Sequence, residues 1–140
     1  MIYSAQVEVR TRGNSEMFDL TDQVQKIITK SGVREGIVCL FTPSSTSALT
    51  TIEYEDGSLD DLRRALEQIA PQAAEYKHNL RWGDGNGHSH LRAALIGPSL
   101  NIPVNNHKMI LGTWQQVLFI DFDVRPRQRN IVVQIVGNDV

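Results

Sequence analysis

Cysteine is almost missing from this 140-residue chain, which carries only Cys39. No internal disulfide can close, so the fold must be held by a core of its own. A single domain of this length can build one, burying roughly two-thirds of the surface its unfolded chain exposes. Aromatics are scarce at 6%, which leaves burial to aliphatic side chains and gives little platform for base stacking. No charge of one sign dominates: 14 Lys and Arg face 16 Asp and Glu for a formal net charge of −2, too balanced for a global field that gathers nucleic acid or an anionic membrane. No apolar run approaches the roughly 18 residues of a membrane span, and no basic stretch leads into an apolar signal core. Walker-type and nucleophile-elbow motifs are absent, so nucleotide hydrolysis by a P-loop and serine-elbow hydrolysis are disfavoured. The expectation is a cytoplasmic protein with neither nucleic acid nor membrane as partner. Cys39, inside the apolar run Ile37–Phe41, reads as a small core hydrophobe and not a nucleophile.

What is present is period. Ala5, Val7 and Val9 alternate with polar residues, which predicts a half-buried strand over 2–12 closed by Gly13-Asn14. Thr21-Asp22 can open a helix with Val24, Ile27 and Ile28 on one face, stopped at Ser31-Gly32. Strands are expected at 36–42 and about 46–53. A second helix with a Leu59, Leu62, Leu66, Ile69 stripe should start at Ser58 and end before Pro71. After a glycine-rich loop, Arg92–Ile96 can make one helical turn. Strands near 99–104, 108–112, 115–123 and 129–137 complete the chain, the first two joined by a turn at Asn105-Asn106. With no repeat or linker, residues 1–140 read as one α+β domain: an antiparallel sheet that curls toward a barrel, with two main helices.

The densest chemistry lies in Asp84-Gly85-Asn86-Gly87-His88-Ser89-His90, with His78 ten residues before His88. Three of the four histidines fall within thirteen positions. In extended backbone His88 and His90 aim the same way; on a helix they would diverge by roughly 200°. Gly83, Gly85 and Gly87 favour the extended case. His78, His88 and His90 would then make a three-ligand set with an open position, the pattern of a catalytic zinc. Surface imidazoles in a hydrogen-bond network are the alternative.

Ser45-Thr46-Ser47-Ala48-Leu49-Thr50 with Glu53, then Tyr76-Lys77-His78, then His90–Leu100, then Leu111–Gln116, read in order, resemble the blocks of the YjbQ-like family, also called the secondary thiamine-phosphate synthase family. The resemblance spans nearly the whole chain. It implies a compact α+β fold with a small β-barrel, assembled as a homotrimer with its site where neighbouring subunits approach. It also implies a weak, secondary thiamine-phosphate synthase activity that joins a pyrimidine pyrophosphate to a thiazole phosphate, and metal and anion binding at the histidines. On that resemblance His78 and His90 match the two family histidines after the long helix, and Glu53 and Asp56 match an acidic pair. Ser44 stands where the family usually has histidine, so His88 is assigned as the replacement ligand for a divalent ion, zinc by preference. Asp84, Asn86 or Glu53 would stand nearby.

A phosphorylated substrate, or a phosphate- or sulfate-like anion, needs cationic and N–H donors. Arg92, two residues past His90, would face the same way in extended backbone and could grip a phosphate with two N–H donors. Ser44, Ser45 and Thr46 could add hydroxyl and backbone donors, while Glu53, Asp56 and Arg92 would supply the acid, base and charge of the synthase reaction. The basic ridge Arg125, Arg127, Arg129 reads first as a solvated turn, with a phosphate rim as the second option. Trp82 would shape a pocket and Trp114 would pack at a subunit contact. The residues leave two functions open: a metal-assisted enzyme on a small phosphorylated molecule, or a non-catalytic trimeric module that binds metal or anion.

Overall fold

Apolar alternation builds most of what the computed structural model shows; it describes residues Met1–Val140. In chain order the elements are β1 (Ile2–Thr11), β2 (Glu16–Asp19), α1 (Thr21–Ser31), β3 (Glu35–Phe41), β4 (Ser47–Ile52), α2 (Asp56–Ile69), α3 (Lys77–Trp82), α4 (Gly87–Ile96), β5 (Ser99–Asn105), β6 (Lys108–Met109), β7 (Gln116–Asp121) and β8 (Arg127–Asn138). Five strands form one sheet in the order β1-β8-β3-β5-β6, and three form another in the order β2-β7-β4. Every pairing is antiparallel. The expected α+β architecture is there, an antiparallel sheet system curled into a half-barrel with helices against it.

Strand β7 explains how one short chain fills two cores. Val117-Leu118-Phe119-Ile120 is apolar at every position and fully buried, the signature of a strand covered on both faces. Because successive side chains alternate, Val117 and Phe119 enter a 16-residue cluster with α1 (Val24, Ile28) and the large sheet. Leu118, Ile120 and the following Phe122 enter a second cluster of eight with Leu59 and Leu66 of α2 and Ala93 of α4. That second core fixes α4, and α4 positions the site.

Three local expectations shift. Helix α2 begins at Asp56, not Ser58: Glu55 is the cap, accepting the N–H groups of Gly57 (2.9 Å) and Ser58 (2.6 Å). Those bonds to the charged form hold the Glu55 carboxyl below its ordinary value. The hairpin turn falls at Asn106-His107, where both residues have positive φ (50° and 67°) and Asn105 pairs with Lys108. Cys39 sits on the outward side of β3 and is half-buried, between exposed Ile37 and Phe41, because the inward side belongs to Val38 and Leu40.

Candidate metal centre and its polar cleft

The glycine-rich run does not extend. Gly83 is the left-handed cap of α3 (φ 65°) and Gly85 makes a second left-handed turn (φ 72°), after which α4 starts at Gly87. The glycines reverse the chain between two helices. Gly87 itself is required by proximity: a Cβ there would lie 2.4 Å from Tyr76 Cβ. Its N–H is held by Asn79 Oδ1 of α3 at 2.9 Å.

The consequence corrects the ligand set. On a helix, residues two apart diverge by roughly 200°, while residues four apart share a face. His90 therefore turns toward α3 and lies with its ring centroid 4.4 Å from that of His78. His88 and Arg92 turn together to the opposite side. Within the chain His88 does not join His78 and His90; its 2%-exposed ring is packed against the α2 side. Burial above all, then the neighbouring Arg92 charge, hold its pKa below the ordinary histidine value.

Asp84 takes the third place. One ligand atom from each of His78, Asp84 and His90 lies within 4.8 Å of the others, and all three side chains are half-buried. His78 Nε2 lies 3.0 and 3.2 Å from the two Asp84 oxygens. The backbone N–H of Asn86 donates to Asp84 Oδ1 at 3.0 Å; that bond, aided by His78, holds the carboxyl below its usual range against the opposing effect of burial. Two imidazoles and one ionised carboxylate are a donor set suited to zinc or a similar divalent ion, leaving coordination positions open.

A polar cleft of about 380 Å³ adjoins this cluster, with Asp84 and His90 in its wall and no hydrophobic lining residue. The corner after β3 contributes Ser44, Ser45 and Thr46, so these expected residues do lie beside His90. Ser44 Oγ accepts the Thr46 N–H at 3.1 Å. Asn86 also reaches the cleft, but as a brace: its amide donates to Asp123 Oδ1 at 3.3 Å, and its carbonyl oxygen accepts from Val124 N–H at 3.1 Å and from Ser89 Oγ at 2.9 Å.

Behind the cleft lies a charged network for which the sequence reading had no place. Asp121 is fully buried and takes Thr11 Oγ1 at 2.6 Å and Arg129 Nε at 2.8 Å. Asp123, 2% exposed, takes Thr46 Oγ1 at 3.0 Å and Arg127 Nε at 3.1 Å. Arg129 Nη2 also donates to Thr46 Oγ1 at 2.8 Å. The basic ridge is thus tied inward at two of its three members. Its signal was present as Asp121-Phe122-Asp123 closing an apolar strand, where acids two apart on one face demand cations.

Other expected residues are not brought together. Arg92 is buried, with Nε on Ala70 O (3.0 Å), Nη1 on Ser15 Oγ (3.1 Å) and Nη2 on Glu67 (2.6 Å). It braces the end of α2 and has its back to His90. Glu53 follows β4 at the end opposite the Ser44–Thr46 corner, about 20 Å away at 3.3 Å per strand residue, and both Glu53 and Asp56 are exposed, outside the cleft wall. Trp82 is 66% exposed with Arg81 stacked 5.7 Å from its ring, and does not line the cleft.

No helix is long and apolar enough to cross a membrane. The family model described as UPF0047 protein YjbQ-like matches residues 5–138. A UPF0047 protein of Methanothermobacter thermautotrophicus is 40% identical over 97% of this chain and 93% of its own. The UPF0047 protein YugU of Bacillus subtilis is 29% identical over 94% of this chain and 97% of its own. Among solved structures, a YbjQ-like protein of unknown function from Sulfolobus solfataricus superposes with a TM-score of 0.94 at 34% identity, covering 99% of both chains. A hypothetical protein from Aeropyrum pernix does so at 0.90 and 29%, covering 97% of this chain and 99% of that one. By sequence along nearly its full length, and by fold, the chain belongs to the UPF0047 (YjbQ-like) family.

Proposed function

We propose that this chain is a metal-dependent enzyme acting on a small phosphorylated molecule, with thiamine-phosphate synthesis as a secondary activity carried over from the family resemblance. The observation that carries the metal reading is the convergence of His78, Asp84 and His90. It replaces the all-histidine set expected from spacing. A divalent ion held there, zinc by preference, supplies Lewis-acid charge for phosphate oxygens.

The protein's own part is positioning. Arg127, whose side chain is 43% exposed while its Nε rests on Asp123, keeps guanidinium N–H groups free for an oxyanion. Ser44 and Ser45 add hydroxyls to the lining of the same cleft. Departing pyrophosphate leaves as an anion, and that is the charge these donors offset. Glu53 and Asp56 are too remote to act in their own chain's cleft. The homotrimer implied by the resemblance, placed in the cytoplasm, is the arrangement in which they would serve a neighbour's.

Elemental analysis of protein purified from zinc-supplemented growth tests the reading. About one zinc per chain is expected, lost in His90→Ala and retained in His88→Ala. Unchanged metal in His90→Ala sinks the centre. Assay of product from the pyrimidine and thiazole precursors then separates enzyme from binding module: His78→Ala should abolish turnover, and equal product from both proteins, neither above the protein-free background, supports the module.

A further inference from the structure

On the far side of α4 from the histidine–aspartate cluster lies a second polar cavity of about 340 Å³ with no hydrophobic lining residue. Three guanidiniums face it: Arg92 from α4, and Arg63 and Arg64 from α2. Only Glu67 opposes them there, and it is engaged by Arg92 at 2.6 Å. The lining therefore carries three positive charges against one negative.

The cations differ in how they are held. Arg92 is only 5% exposed, and its bonds to Ala70, Ser15 and Glu67 use three of its five N–H donors. Its plane is fixed and two donors remain. Arg63 and Arg64 make only exposed contacts three residues back along α2, to Asp60 (3.1 Å) and Asp61 (3.0 Å). Such surface pairs are worth about 0–1 kcal/mol and yield readily to a better partner. One rigid guanidinium and two adaptable ones suit a tetrahedral oxyanion, which accepts several forked donors at once.

His88 also lines this cavity; its buried Nδ1 makes no hydrogen bond of good geometry, the Gly85 backbone being the one nearby main-chain group that acts on the ring. Its Nε2 lies 3.4 Å from Ser89 Oγ. Buried polar atoms are nearly always satisfied, so the imidazole edge of His88 adds a weakly satisfied polar group to the arginines of this lining. The Ser15 hydroxyl, which accepts from Arg92 Nη1, has its own proton to offer.

We propose that the cavity between α2, α4 and the Gly13–Ser15 turn binds a phosphate group, either as the free anion or as the head of a small phosphomonoester. The site is independent of the metal centre, since no residue is shared between them.

Titrating the full-length protein with inorganic phosphate and separately with phenyl phosphate, followed by the Arg side-chain Nε–H and amide signals in NMR, tests it. Saturable shifts at Arg63, Arg64, Arg92 and Ser15 are expected. Arg63→Gln with Arg64→Gln should weaken binding at least tenfold, whereas His90→Ala should leave it unchanged. Tighter binding of one probe identifies free anion or ester as the source. The two arginines are exposed, so the double variant keeps its fold, which circular dichroism checks. Absence of saturation with both probes, affinity indifferent to the double variant, or loss of binding in His90→Ala overturns the proposal.

Discussion

Gly87 has no room for even one carbon. A methyl at its Cβ position would meet Tyr76 Cβ at 2.4 Å and Cγ at 2.5 Å, well inside van der Waals contact. Alanine would ordinarily favour the helix by about 1 kcal/mol. Here the clash must be relieved by moving α4 from the Tyr76 segment, and overpacking of this kind costs about 1–3 kcal/mol. Gly87→Ala is therefore expected to lower the urea midpoint, and, since Tyr76 leads directly into the helix that holds His78, to loosen the His78–His90 pair as well. A variant as stable as the parent would show that the two helices slide freely.

Asp123 shows at the same scale how donors overcome burial. Its buried position alone would raise the carboxyl's pKa, yet the Arg125 N–H, the Asn86 amide, the Thr46 hydroxyl and Arg127 together hold it below the ordinary aspartate value. A depressed folded-state value means the anion is favoured by folding. Its stabilisation is in full force above the unfolded value near 3.9 and is lost as pH falls through the lower folded one. Urea midpoints taken between about pH 5 and pH 2.5 should fall steeply for the parent. Asp123→Asn should begin lower and fall less steeply; a slope equal to the parent's would remove Asp123 from the acid limb.

At the scale of elements, legibility followed periodicity. Strands β1, β3, β5 and β8 of the large sheet, β4 and β7 of the small one, and helices α1 and α2 carry periodic or continuous apolar residues, and these are where sequence and structure agree, whereas the strand expected over 108–112 shrinks to Lys108–Met109. Helix α4 has no such pattern: Gly87, His88, Ser89, Arg92 and Ala93 are all buried, so its inward face is largely polar and carries no apolar stripe to read. Glycines at 83, 85 and 87 then suggested extended chain, when two of them make left-handed turns and the third permits close helix packing. The extended backbone they suggested put His88 with the metal and Arg92 beside it as a phosphate grip, and left Asp84 in a supporting role. The short elements β2 and α3, four and six residues, were missed because neither spans enough turns or alternations to show a period. The Asp121–Asp123 network was hidden for another reason: its partners Thr11, Thr46 and Asn86 are 110, 77 and 37 residues away.

At the scale of the whole molecule the outward face of the large sheet is unfinished as a surface. Ile2 stands opposite Val136, and Val136 opposite Ile37, so three aliphatic side chains form one row across β1, β8 and β3. They are 67%, 55% and 52% exposed. Contiguous apolar rows of this kind on a folded chain mark contact surfaces, and the homotrimer proposed above gives this one a cover. Light scattering should then report a mass three times the 15.7 kDa chain, and Ile37→Glu with Val136→Glu, which places buried like charges in the contact, should reduce it to one. Parent protein running as a monomer, or a double variant that stays trimeric, removes this face from assembly. The metal gives a second readout. Because His78, Asp84 and His90 come from one chain, the monomeric variant should keep its zinc while losing any activity that depends on Glu53 or Asp56 of a neighbour; loss of zinc with the trimer would mean that the centre is completed across the subunit contact.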